Sequence, residues 1–223
     1  MGGICLNKQI YRRLIIGVWL IALVVAYPLC QWLGPERGWE NGRLEWLQVI
    51  VLCGLIVLAS VQAKRAREQS VRRFWRLMIP VFVLMVLREL TWGAMLLPPV
   101  EVGADGPRYL SRKDLPYGDF VHPAVGIVII LWILAVIRCK LVSFCLELVR
   151  NRRIPWLEMG LVVVASILAI AAERHILSLP GNMVMVFEEY METLAYLAIG
   201  LVFLRLKDNI SNIRMPLRSF MKK

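Results

Sequence analysis

The chain has 223 residues, 59% of them hydrophobic, a mean hydropathy of +0.63 and a formal net charge of +11. Soluble domains are usually about half apolar, so this composition excludes an ordinary soluble globular domain and predicts a polytopic membrane protein. The basic residues gather in alternate connections without aromatic interleaving or zinc-ligand spacing, which excludes nucleic acid as the partner and leaves membrane lipids.

Apolar runs over 14–33, 44–63, 77–97, 120–137, 154–174 and 183–206 each approach the roughly 20 residues that cross ~30 Å of hydrocarbon. The expected fold is all-α, a polytopic membrane helix bundle of about six transmembrane helices forming one integral domain over 1–223. Lys8, Arg12 and Arg13 precede the first run; Lys64, Arg65, Arg67, Arg72, Arg73 and Arg76 fill the second connection; Arg138, Lys140, Arg150, Arg152 and Arg153 fill the fourth. The tail adds Arg205, Lys207, Arg214, Arg218, Lys222 and Lys223. By the positive-inside rule these segments, and both termini, are expected in the cytoplasm.

In chain order, the first helix is expected to end near Gly34-Pro35, and Tyr27-Pro28-Leu29-Cys30 lacks the small residues of a signal-peptide cleavage point. Asn41 is the expected N-cap of the second helix, with Trp32, Trp39 and Trp46 at headgroup level. The connection from Lys64 to Arg76 has no Gly or Pro and is expected to extend the second and third helices. Pro98-Pro99 stop the third. From Pro98 to Asp119 runs the longest outer connection, where Gly103, Gly106, Pro107, Pro116 and Gly118 are expected to break any regular element.

Asp119 is the expected cap of the fourth helix, and Lys140 to Arg153 reads as an amphipathic interfacial segment. Leu179-Pro180-Gly181-Asn182 is a tight turn that makes the last two helices antiparallel neighbours. Cys5, Cys30, Cys53, Cys139 and Cys145 form no CxxC pair, so no disulfide framework is implied.

The polar residues that interrupt the apolar runs gather toward one expected side. Arg88-Glu89 sit about nine residues before the end of the third helix, roughly 13 Å inside the slab, and Glu188, Glu189 and Glu192 share adjoining faces of the sixth. A charge at the bilayer centre costs about 2.5 to 3.5 kcal/mol on insertion scales, so these groups are expected to face the bundle interior or a wet cavity. Arg88 and Arg174 are outnumbered by Glu89, Glu173, Glu188, Glu189 and Glu192, and protons, a histidinium, a metal, a cation or a basic ligand must balance the remainder. Glu45, close to its helix start, is explained by exposure and a favourable helix dipole.

His122 and His175 are the only histidines and fall at the same level. With glutamates from separate helices they are the candidate metal ligands, which makes a divalent metal the candidate cofactor, although no HExxH or ExxH pair occurs. The alternative is two histidines hydrogen-bonded at the interface. Arg88, Glu89, Glu188, Glu192, His122 and His175 are the candidate catalytic groups, and Arg88, Arg174 and Glu189 the candidate substrate-binding groups. For Arg88 the competing reading is an ion pair with a glutamate of the last helix that fixes packing.

The stretch Leu87-Arg88-Glu89-Leu90-Thr91-Trp92-Gly93 resembles the Glu-Glu-Ile-Ser-Trp-Gly-Gln signature of a family of uncharacterised bacterial multi-pass inner-membrane proteins. Those proteins are also similar in an acidic, Trp-containing start to the second helix, here Glu40, Glu45 and Trp46, and in a later Glu-Glu pair, here Glu188-Glu189. Arg88 stands for the first glutamate of the signature and Ala94 for its glutamine. The resemblance implies a multi-pass bacterial membrane protein and brings no assigned activity.

Three functions compete at this stage. One is an enzyme acting on a lipid or lipid-linked substrate at an intramembrane Glu/Arg/His site facing the periplasm. The second is a proton- or cation-coupled transporter, and the third a structural or accessory membrane protein. Protein partners and a homo-oligomer are not legible in the sequence.

Overall fold

The computed structural model describes residues 2–34, 39, 41–103 and 106–211. Pro35, Glu40 and the basic residues Arg214, Arg218, Lys222 and Lys223 lie outside the described residues. The first predicted helix is not continuous. Pro28 has no amide proton for the Val24 carbonyl and its ring crowds that oxygen, and the chain breaks there into α1 (Gly2–Val24) and α2 (Ala26–Leu33), bent by 60°.

The remaining helices are α3 (Arg43–Arg65), α4 (Gln69–Glu89), α5 (Gly118–Arg138), α6 (Leu141–Arg150), α7 (Trp156–Glu173) and α8 (Gly181–Ser211). By length and composition, α3, α5 and α7 can cross a membrane, and the α1–α2 pair is a fourth candidate if taken as one broken span. At 1.5 Å per residue α4 and α8 measure about 32 and 46 Å. Charges interrupt both: Arg72, Arg73, Arg76, Arg88 and Glu89 in α4, and Glu188, Glu189, Glu192, Arg205, Lys207 and Asp208 in α8.

Packing centres on α8, which lies against α7, α3 and α2. On one side Ala165, Ala169 and Ala172 of α7 recur at helical spacing and bury against Ala195 and Ala198 of α8, a small-residue seam that lets the backbones approach closely. Trp19, Ala26 and Cys30 close this core, and Trp19 Nε1 donates to the Leu194 carbonyl at 3.2 Å. On the other side Leu52, Leu55 and Ala59 of α3 meet Phe74, Trp75 and Phe82 of α4, with Leu141, Phe144 and Leu148 of α6. Those three α6 residues sit at i, i+3 and i+7, the stripe of an amphipathic helix.

Near Pro80, which opens the α4 backbone, Trp132 of α5 donates to the Leu77 carbonyl at 2.7 Å. At the end of the bundle that carries α6, Arg205 lies 3.5 Å from buried Glu158, and Asn209 and Arg153 exchange hydrogen bonds with each other's backbone carbonyls at 2.6 and 2.7 Å.

Other expectations are corrected at the opposite end. The third predicted helix does not run to residue 97: α4 stops at Glu89 and a 3-10 segment, Thr91–Leu96, follows. Thr91, Trp92 and Gly93 have φ of 45°, 59° and 97°, which an α-helix cannot include. Arg88 and Glu89 are therefore in the last turn of a helix, not in the middle of a continuous one.

The connection after Pro98 is not irregular throughout. A two-stranded antiparallel hairpin pairs β1 (Glu101–Gly103) with β2 (Gly106–Arg108), and Ser111 and Asp114 form a reciprocal capping box around a 3-10 turn. Asn41 does not cap α3, whose N-cap is Gly42 without a side-chain cap bond; nor does Asp119 cap α5, which starts at Gly118 after Tyr117. Gly118 is required by close approach, because a Cβ there would overlap the Arg112 carbonyl.

Candidate functional site

Three helices meet where α4 ends, and their polar residues form two hydrogen-bonded groups side by side on one face of α8. On α8, positions 189, 192, 193 and 196 are separated by three, one and three residues, so Glu189, Glu192, Thr193 and Tyr196 share one face. That face meets Gln48 of α3 and Arg88-Glu89 of α4.

Two halves can be distinguished. In the first, Tyr196 Oη donates to Glu89 Oε1 at 2.5 Å, Arg88 Nε lies 3.6 Å from the same oxygen, and Arg88 Nη2 donates to Glu192 Oε1 at 3.2 Å. Glu89 and Tyr196 are buried, whereas the Arg88 side chain is 63% exposed. A carboxylate at a helix C-terminus faces the negative end of the dipole, so the hydroxyl and guanidinium supply what the helix does not.

In the second half, Gln48 Nε2 donates to Glu189 Oε2 at 2.9 Å and lies within reach of Thr193 Oγ1 and the Glu189 carbonyl, at 3.2 and 3.3 Å. Thr193 Oγ1 in turn donates to the Glu189 carbonyl at 2.8 Å. Gln48 is completely buried.

A second polar layer covers this end of the bundle. Asn41 adopts φ 62° and bridges elements that are distant in sequence: its amide accepts from Trp46 Nε1 at 2.7 Å and donates to Tyr109 Oη at 2.8 Å and the Met95 carbonyl at 3.3 Å. The Asn41 backbone amide donates to Glu45 Oε2 at 2.6 Å. Tyr117 Oη donates to the Trp92 carbonyl at 3.0 Å and thereby braces the left-handed turn after Glu89.

Of the residues singled out from sequence, the structure brings together Arg88, Glu89, Glu189 and Glu192. Glu188 is half-buried and stands one turn before Glu192 on α8. Arg174, His122 and His175 are exposed and make no hydrogen bond or ion pair with these carboxylates among the described residues. Among the described residues no three His, Cys, Asp or Glu side chains converge as a metal site would require, so the two histidines are not assembled with the glutamates into one. Gln48, Thr193 and Tyr196 were not among the residues selected from sequence. Their signal was available: the α8 stripe continues from Glu189 through Thr193 to Tyr196, and Gln48 interrupts an apolar run one turn after Glu45.

No family model matches this chain, and neither a curated protein nor a solved structure matches it.

Proposed function

We propose that this chain is a proton- or cation-coupled carrier of the bacterial inner membrane, built from six spans with both termini in the cytoplasm. The observation that carries the reading is a charge imbalance across the two neighbouring polar groups on α8. One guanidinium, Arg88, serves Glu89 and Glu192, while Glu189 is held only by the neutral Gln48 amide among the described residues. A low-dielectric seam with three carboxylates and one fixed cation takes up protons or a positive ion, and that exchange is the chemistry of a relay.

Six spans follow if α4, α8 and the broken α1–α2 pair all cross, because α4 and α8 are long enough and Glu89, Glu189 and Glu192 on them turn toward partners. The basic connections near α6 support placing that end in the cytoplasm and the carboxylate network toward the periplasm. The resemblance of Arg88 to Gly93 to the signature of bacterial multi-pass proteins supports the same compartment. In liposomes, an imposed gradient should drive flux that Glu189→Gln and Glu192→Gln abolish without loss of insertion. Absence of gradient-driven uptake across a broad substrate panel would sink the carrier.

A second reading has its own observation. Among the described residues Arg88 engages Nε and Nη2, and the exposed side chain leaves Nη1 for an anion such as the phosphate of a lipid or lipid-linked substrate. Glu192 would then be the general acid or base. Turnover of such a substrate, lost in Arg88→Ala and Glu192→Gln, would favour this enzyme over the carrier.

A further inference from the structure

The Gln48 amide has too many partners on one side and none on the other. Its Nε2 carries two hydrogens and faces three acceptors, Glu189 Oε2, Thr193 Oγ1 and the Glu189 carbonyl. Its Oε1 is buried and has no hydrogen-bond partner among the described residues. Buried amide oxygens are rarely left this way, because desolvation without a partner is costly.

Reversing the amide does not cure the mismatch. The oxygen would then oppose the Glu189 carboxylate, and the NH2 group would occupy the place where Oε1 finds no partner. A proton on Glu189 would give the reversed oxygen a donor but would still strand the NH2 group. In the observed orientation, a positive centre beside Oε1 completes the site, and Glu189 supplies the balancing charge. The other carboxylates of the network are engaged elsewhere, Glu89 by Tyr196 and Glu192 by Arg88.

We infer that Gln48 Oε1 is a ligand of a small alkali cation at the α3–α8 seam, with the Glu189 carboxylate, held on the amide's other side, as its counter-charge and Thr193 as the positioning residue. One neutral oxygen with a single carboxylate as counter-charge suits a hard monovalent ion, whereas divalent ions draw on more carboxylates than converge here among the described residues. The inference rests on the carrier reading and names its coupling ion as Na+ or K+, not a proton.

The test is thermal unfolding of the purified full-length protein in detergent, with NaCl or KCl replacing choline chloride at constant ionic strength. Ligand linkage predicts a saturable rise in Tm with the alkali salt and none with choline. Gln48→Met and Glu189→Gln should each weaken the apparent ion affinity by roughly tenfold or more, and Thr193→Val should weaken it less. Direct binding of radioactive Na+ to the wild-type protein serves if a variant does not fold. Equal Tm in alkali and choline salts together with no bound Na+, or a full response in Gln48→Met, would overturn the site. Proton-driven flux without any alkali response would remove the site and keep the carrier, while an alkali response without gradient-driven flux would keep the site and remove the carrier.

Discussion

Tyr196 of α8 and Glu89 of α4 are joined by a 2.5 Å hydrogen bond between two buried side chains 107 residues apart in sequence. The bond ties the central helix to a helix terminus whose dipole opposes a carboxylate. Removing the hydroxyl as Tyr196→Phe should cost about 1 to 3 kcal/mol, the range for stranding a buried acceptor. Tyr196→Phe combined with Glu89→Gln should cost less than the sum of the two single changes, and thermal unfolding of all four proteins checks this coupling.

A second ion pair with a buried carboxylate lies at the opposite end of α8. Glu158 is buried and Arg205 lies 3.5 Å away. Arg205→Ala should destabilise by about 1 to 3 kcal/mol, because a buried carboxylate loses one of its partners, and on the carrier reading should leave gradient-driven flux per folded molecule unchanged. A large loss of flux at full folding would join this end of α8 to the function.

Thr91 at φ 45° is β-branched in a region that favours glycine. Thr91→Gly should raise stability by about 0.5 to 1 kcal/mol in a chemical or thermal melt. Gly93→Ala should do the reverse, since φ 97° is retained and the new methyl would lie 3.1 Å from Tyr117 Oη.

Glu68, between α3 and α4, has its carboxyl pushed above the usual range by burial first and by the negative charge of Glu147 second. A folded-state value above the unfolded one means that the folded protein binds the extra proton. Its contribution to stability is therefore fully present below the unfolded carboxylate value and is lost as pH rises through the folded one. Glu147→Gln should flatten that decline, measured as Tm against pH in the mildly acidic range, and an unchanged slope would remove Glu147 as a cause.

The amphipathic nature of α6 and the neighbourhood of α7 and α8 were legible because each rests on local periodicity or a short turn. So was the pairing of Arg88 with a glutamate of the last helix, since charges within apolar runs need partners. The break after Val24 had a visible cause in Pro28, but proline is tolerated in membrane helices often enough that the run of apolar residues outweighed it. The stop at Glu89 was hidden because Leu90-Thr91-Trp92 continues the apolar pattern, while the left-handed turn is braced by Tyr117, distant in sequence.

Gln48 was missed for a related reason. A single neutral amide in an apolar helix gains meaning only from what it faces, and hydropathy registers no partner across a seam. His122 and His175 show the opposite error, in which rare residue types at a shared level suggested convergence that the described side chains do not show.

The helix α5 has little company. Only Gly118 and Val121 are buried along it; Val125, Trp132 and Val136 are half-buried, and most of its other large apolar side chains are exposed. Its place is marked by the Trp132 indole at one carbonyl of α4 and by Arg112 reaching the Gly118 carbonyl at 3.0 Å. As a candidate span with so few protein contacts, α5 would have hydrocarbon as its principal neighbour, so a change of detergent chain length or lipid thickness should loosen it before it disturbs the α7–α8 seam.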